Sequence, residues 1–140
     1  MAGTESETSA FFLDSNVVIY LLSADKVKAD MAEALLEAGP TISVQVLNEV
    51  TQVCVRKIGM GWDDTGSFLD LVRSFCRVVP VTEEMHDLAR HVAARNRLSF
   101  YDACIVAAAT VSGCCTLYSE DMNHGQTLGS LTLLNPFRAA

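Results

Sequence analysis

The 140-residue chain is short of positive charge: ten Lys and Arg stand against 17 Asp and Glu, a formal net charge of −7. That excludes a protein that coats nucleic acid through a basic surface. It does not exclude an enzyme that holds nucleic acid through metal ions. No apolar run approaches the roughly 20 residues of a membrane span, so no membrane partner is expected. The opening MAGTESETSA has neither the basic region nor the apolar stretch of a signal peptide. Cysteines are few and odd in number (Cys54, Cys76, Cys104, Cys114, Cys115), with no CxxC and no His at ligand spacing from a pair. This argues against a disulfide framework and a zinc site, and for thiols in a reducing cytoplasm. P-loop, dinucleotide fingerprint and Ser/His/Asp nucleophile sets are absent. Only three prolines punctuate the chain, and no repeat or low-complexity linker divides it.

What is there is apolar and locally periodic. Half the residues are hydrophobic and 19% are charged, the balance of a globular chain. At this length one domain is expected, over residues 10–140, behind a polar tail at 1–9. It should bury roughly two-thirds of the surface exposed by its unfolded form. Phe11–Leu13, Thr41–Ser43, Arg77–Val79, Cys115–Tyr118 and Leu131–Leu134 read as short strands. Helical spacing marks Val17–Leu22, a segment from Val27 to Gly39-Pro40, Val46 to about Ile58, a segment around Phe68–Phe75, Glu83–Arg95, and Ser99 to about Val111. Ser119 to Gly129 reads as a polar loop. Short apolar strands alternating with helices predict a parallel sheet of four to five strands in a three-layer α/β/α arrangement.

In open parallel sheets, sites form beyond the carboxyl ends of the strands. Asp14 directly follows the first strand, and Asp121 follows the strand that ends near Tyr118. Glu49 lies about two turns into the helix after the second strand. Asp102 sits in the first turn of an apolar helix. Each has a plain structural alternative. Asp14 suits a helix N-cap, Ser99-x-x-Asp102 has the pattern of a capping box, and Asp121 lies in a turn with Asn123 and Gly125. Glu49, on the border of an apolar stripe, needs a partner, and Arg56 two turns on is the obvious one. Asp102 precedes Ala103 to Ala109, a stretch apolar all round and therefore central. A helix N-terminus offsets only about 0.3–1 kcal/mol of the cost of a charge there. Four carboxylates at one sheet edge repel one another unless cations intervene. Oxygen ligands favour Mg²⁺ or Mn²⁺, and two such ions can serve phosphodiester hydrolysis.

Four segments, in order and over one domain length, make the pattern specific: Phe12-Leu13-Asp14-Ser15-Asn16-Val17, Val46-Leu47-Asn48-Glu49-Val50, Leu98-Ser99-Phe100-Tyr101-Asp102-Ala103 with its apolar continuation, and Leu117-Tyr118-Ser119-Glu120-Asp121. From about Phe11 to Pro136 the chain resembles the PIN domain and, more narrowly, the VapC-type toxins of bacterial toxin–antitoxin pairs. The resemblance implies a metal-dependent endoribonuclease that hydrolyses RNA with metal-activated water. Asp14, Glu49, Asp102 and Asp121 would be its acids, and Asn16 and Ser119 would orient ligands. The family commonly carries a further acid two residues after the fourth. Asn123 stands there in this chain, with Glu120 adjoining Asp121 as a substitute and His124 within reach of substrate. The resemblance also implies a homodimer and a cognate antitoxin that wraps the helices near the groove.

Other residues invite weaker readings. His86 and His91 are five apart on one helix, not at the i, i+4 ligand spacing. Arg56, Arg95 and Arg97 suit RNA phosphate or a solvated helix end, and Trp62 suits a base or a packing role. Two rival functions frame the reading. A haloacid-dehalogenase-like phosphatase also begins with a strand ending in Asp. It needs a second Asp where Asn16 stands and a mid-chain Lys, and no Lys follows Lys57. A non-catalytic PIN-like scaffold is the other, and degenerate relatives of that kind usually lose one or more acids.

Overall fold

The computed structural model describes residues 10–138; the tail expected at 1–9 lies outside them. Six strands form one sheet: β1 (Phe11–Leu13), β2 (Thr41–Ser43), β3 (Arg77–Val79), β4 (Thr116–Tyr118), β5 (Thr127–Leu128) and β6 (Leu131–Leu134). Six α-helices connect and cover them: α1 (Ser15–Ile19), α2 (Lys26–Glu37), α3 (Val44–Gln52), α4 (Trp62–Phe75), α5 (Glu83–Asn96) and α6 (Phe100–Val111). A 3-10 turn, Tyr20–Leu22, follows α1, and a π-helical segment, Val53–Ile58, extends α3.

The strand order is β3-β2-β1-β4-β6-β5. All neighbours are parallel except β5, which pairs antiparallel with β6. The expected sheet is thus present but wider and not wholly parallel. β5 falls inside the stretch read as a polar loop, because two residues are too few to show an alternating pattern. The inner strands run through the interior with helices on both faces of the sheet: Phe12, Ile42 and Leu117 are fully enclosed. Such strands read as continuous apolar runs, as the sequence does.

The central helix is α6, where Ala103 and Ile105 to Ala109 are buried. Its alanines do more than fill space. Ala103 and Ala107 meet Ala89 of α5 in a cluster with no exposed surface, so small side chains let two helices approach closely. Caps set the helix starts. The hydroxyls of Ser43, Thr82 and Ser99 accept from the N–H three residues on, in α3, α5 and α6. At the far end of α5, Arg97 adopts a left-handed conformation with φ 57°. That turns the chain at once into Ser99 and α6.

The connections determine where a site can form. The chain proceeds from β1 outward to β2 and β3, then returns to place β4 on the other side of β1. The order therefore reverses between β1 and β4, and beyond their carboxyl ends a crevice is left open.

Candidate active site

Register brings the first and last acids together. Phe11, Phe12 and Leu13 pair with Thr116, Leu117 and Tyr118, and the Asp14 N–H continues the ladder to the Tyr118 carbonyl at 3.0 Å. Asp14 must then lie beside Ser119. The Ser119 hydroxyl donates to Asp14 Oδ2 at 2.8 Å and accepts from the Asp121 N–H at 3.2 Å. Asn16, the second residue of α1, closes the network. Its amide Nδ2 donates to Asp121 Oδ2 at 3.0 Å and to Ser119 Oγ at 3.3 Å, and its Oδ1 accepts from the Glu120 N–H at 3.1 Å. Asp14 is also the N-cap of α1, its Oδ1 accepting from the Ser15 N–H at 2.7 Å. The capping and site readings of this residue are compatible.

Glu49 and Asp102 come from the helical side and are half-buried. The expected Arg56 partner is not used, since Arg56 is exposed near the end of the π-helical segment. Instead the Gln45 amide Nε2 donates to Glu49 Oε2 at 2.9 Å and reaches the Tyr101 carbonyl at 3.4 Å. Gln45 thereby links α3 to the first turn of α6 beside Asp102. It was missed in the sequence, although its signal is there: Gln45 and Glu49 are at i, i+4, neighbours on one helix face.

The acids sense one another. The Asp14 carboxyl is pushed up from 3.8 to about 6, foremost by burial. Hydrogen bonds from Ser119 and Ser15 oppose the rise, and the charges of Glu49 and Asp102 add to it. Asp102 also lies above the usual carboxylate range, again through burial, with Asp121 and Glu49 contributing and Ser99 opposing. The cluster thus holds more negative charge than its own hydrogen bonds neutralise. Among the described residues, no three His, Cys, Asp or Glu side chains converge closely enough to cage a metal ion. An open set of carboxylates still fits a hard divalent cation. Mg²⁺ keeps several of its waters and binds through one or two carboxylates plus substrate phosphate.

Three weaker candidates have other partners. Glu120 accepts from the Tyr20 hydroxyl at 2.7 Å and pairs with Lys28 Nζ at 2.9 Å. Burial pushes its carboxyl up, but these hydrogen bonds and the Lys28 charge bring it below its ordinary value. Lys28 also lies over the rings of Tyr20 and Phe137, so Glu120 belongs to a clamp on the far side of its loop. Asn123 donates to Gln126 at 3.3 Å, and His124 Nδ1 accepts from the Asn135 N–H at 2.9 Å. Both brace the loop. Trp62 is 70% exposed at the start of α4, so it does not pack over the end of α3.

The chain belongs to the PIN domain family, whose profile matches residues 11–127. Solved structures share its fold. A toxin–antitoxin complex from Klebsiella pneumoniae superposes with a TM-score of 0.69 at 21% identity, covering 94% of this chain and 100% of that one. Mycobacterium tuberculosis VapC20, a toxin that cleaves the sarcin-ricin loop, superposes at 0.62 with 22% identity, covering 77% and 87%. FitAcB from Neisseria gonorrhoeae superposes at 0.65 with 17% identity, covering 92% and 99%. No curated protein sequence matches the chain.

Proposed function

We propose that this protein is a metal-dependent endoribonuclease, the toxin of a toxin–antitoxin pair, acting in the cytoplasm. The observation that carries the reading is the placement of Asp14, Glu49, Asp102 and Asp121 by the crevice between β1 and β4 in a PIN fold, with the Asp14 and Asp102 carboxyls raised foremost by burial and further by the charges of their acidic neighbours. These four carboxylates would hold Mg²⁺ or Mn²⁺, which supplies Lewis acidity and lowers the pKa of a water. The chain's own residues provide orientation. Ser119 and Asn16 hold Asp14 and Asp121 in fixed rotamers, and Gln45 aims Glu49 across from Asp102. Burial around Asp14 excludes bulk water and strengthens the local field. An RNA phosphodiester is the substrate class that the resemblance to VapC-type toxins implies, and a phosphate can approach this acidic edge only through bound cations.

The fold also offers a place for an antitoxin. A cleft of about 540 Å³ between α2 and α4 is lined by Leu22, Leu36, Phe68, Leu71 and Phe75, with Glu33 and Glu37 at its rim. Leu71 is 56% exposed and Phe75 40%. An apolar segment with flanking basic residues suits it, in line with the toxin–antitoxin complex from Klebsiella pneumoniae among the structures of like fold. A homodimer is expected with this reading.

The test is cleavage of total RNA by purified protein with Mg²⁺ or Mn²⁺, with EDTA, and with Asp102→Asn prepared in parallel. The expected outcome is metal-dependent cleavage, reduced roughly 10²–10³-fold or more in the variant. Equal cleavage by both preparations would sink the reading.

A further inference from the structure

Beside the acids lies a second cavity that the proposed chemistry leaves unused. It measures about 360 Å³ and is bounded by Gln45, Asn48, Met85, His86, Phe100 and Tyr101 among others. We infer that this cavity receives one nucleobase of the RNA strand, next to the phosphate held at the acids. The inference rests on the nuclease reading for the identity of the strand.

Four observations favour a base. First, no Lys, Arg, Asp or Glu lines the cavity, although the chain is 19% charged. Its occupant is therefore uncharged, and a phosphate or an ionic side chain is a poor fit. Second, its walls combine ring faces with amide edges. The His86 and Phe100 rings lie 5.5 Å apart at 68°, and Phe100 and Tyr101 lie 5.7 Å apart at 66°. The rings meet edge to face and are not stacked on one another, and Tyr101 remains 70% exposed. Unstacked bases are recognised by stacking on such rings while donors and acceptors read their edges. The side-chain amide of Asn48 supplies both, and Gln45, whose Nε2 is engaged with Glu49 and the Tyr101 carbonyl, supplies its Oε1 as an acceptor. Third, the volume is at the small end of ligand pockets, which run from roughly 300 to 1,000 Å³. That suits one flat ring system, and a long peptide needs more. Fourth, cavity and acids are linked through shared neighbours. Tyr101 precedes Asp102 in α6, and Gln45 contacts both Glu49 and the Tyr101 carbonyl. A base in the cavity would place its own phosphodiester beside the carboxylates.

Tyr101 is the residue to change, since at 70% exposure its side chain takes no part in the core. Backbone amide NMR signals of residues 43–48, 85–86 and 100–104 are followed in Mg²⁺ during titration with AMP, CMP, GMP and UMP, with ribose 5-phosphate as the base-free control. The expected result is that at least one nucleotide shifts these signals and ribose 5-phosphate does not. Tyr101→Leu should weaken that nucleotide about tenfold, and Tyr101→Phe should restore it. For an RNA oligomer spanning a mapped cut, kcat/KM should fall about tenfold with Tyr101→Leu. Removing the base beside the scissile phosphate should abolish the difference between the two proteins. Equal shifts with ribose 5-phosphate, or unchanged cleavage and cut-site preference in Tyr101→Leu, overturn the inference. So do signals that follow protein concentration and dimerisation but ignore nucleotide, which would assign the face to a second copy. If nucleotides bind here but wild-type protein cuts no RNA, the nuclease reading fails and the base pocket stands.

Discussion

The two halves of the acidic crevice are built differently. On the sheet side, Asp14 and Asp121 are tied to each other through Ser119 and Asn16 by hydrogen bonds of 2.8–3.3 Å. Asp14 and Ser119 are almost wholly buried, at 4% and 1% exposure. On the helical side, Glu49 and Asp102 are half-buried, and one amide, that of Gln45, spans the gap. The first half is rigid before any ligand arrives, because sheet register places Ser119 beside Asp14. The second half rests on side chains from two helices joined at this point by a single amide, with no sheet register to place them. A site of this kind has one fixed wall and one adjustable wall. In the proposed nuclease, a cation that must accept a bulky phosphate and still be gripped would be served by both.

Asp14→Asn tests the fixed wall most severely. Cleavage should fall roughly 10²–10³-fold or more, while metal-free protein should gain stability at pH 7. The sign follows from linkage. The folded carboxyl titrates near 6 and the unfolded one near 3.8, so the folded state holds its proton more tightly. The Asp14 contribution to wild-type stability is then fully present below about pH 4 and is lost as pH rises through about 6, by up to about 3 kcal/mol. Asparagine removes that dependence, although its NH₂ meets a Ser119 hydroxyl already occupied, which reduces the gain. Melting curves of both proteins in EDTA from pH 4 to 7 check this; parallel curves would contradict it.

Ser119→Ala comes next. It strips Asp14 of a hydrogen bond and the Asp121 N–H and Asn16 amide of an acceptor. Stability at pH 7 should drop by about 1–3 kcal/mol and cleavage by roughly 10–100-fold, read by urea unfolding and initial rates. The adjustable wall should be more forgiving. Gln45→Ala should cost at most about tenfold in rate and about 1 kcal/mol in stability. A loss as large as that from Ser119→Ala would erase the contrast between the walls.

The smallest effect is expected outside both walls. Glu120→Gln weakens an ion pair in which each side chain is about 30% exposed, so stability should change by at most about 1 kcal/mol and cleavage by less than about threefold. A loss near that of Asp14→Asn would move Glu120 from the clamp into the site.

How much of this was legible in the sequence follows from the range of each interaction. The apolar runs around Phe12, Ile42 and Leu117 announced strands, and Ala103 to Ala109 announced a central helix, because burial on all sides leaves a pattern within a few residues. Ser99 as the cap of α6 was readable for the same reason. The partners of the acids were not. Arg56 looked right for Glu49 by helical spacing, yet the nearer Gln45 takes that place. Glu120 looked like a site acid beside Asp121. Its partners Tyr20 and Lys28 lie 100 and 92 residues away, and no local pattern reveals them.

The sequence by itself determined the alternation of short buried strands with helices and the placement of acids just past strand ends or in first and second helical turns. These depend on periodicity and capping, which act between near neighbours. Only the tertiary structure decided which strands lie side by side, and hence that Ser119 meets Asp14, that Asn16 reaches Asp121 and that Tyr101 borders a cavity. Those contacts join residues a hundred positions apart or on separate helices. They exist only once the whole sheet has chosen its order and register, through ladder hydrogen bonds and packing that no single segment encodes.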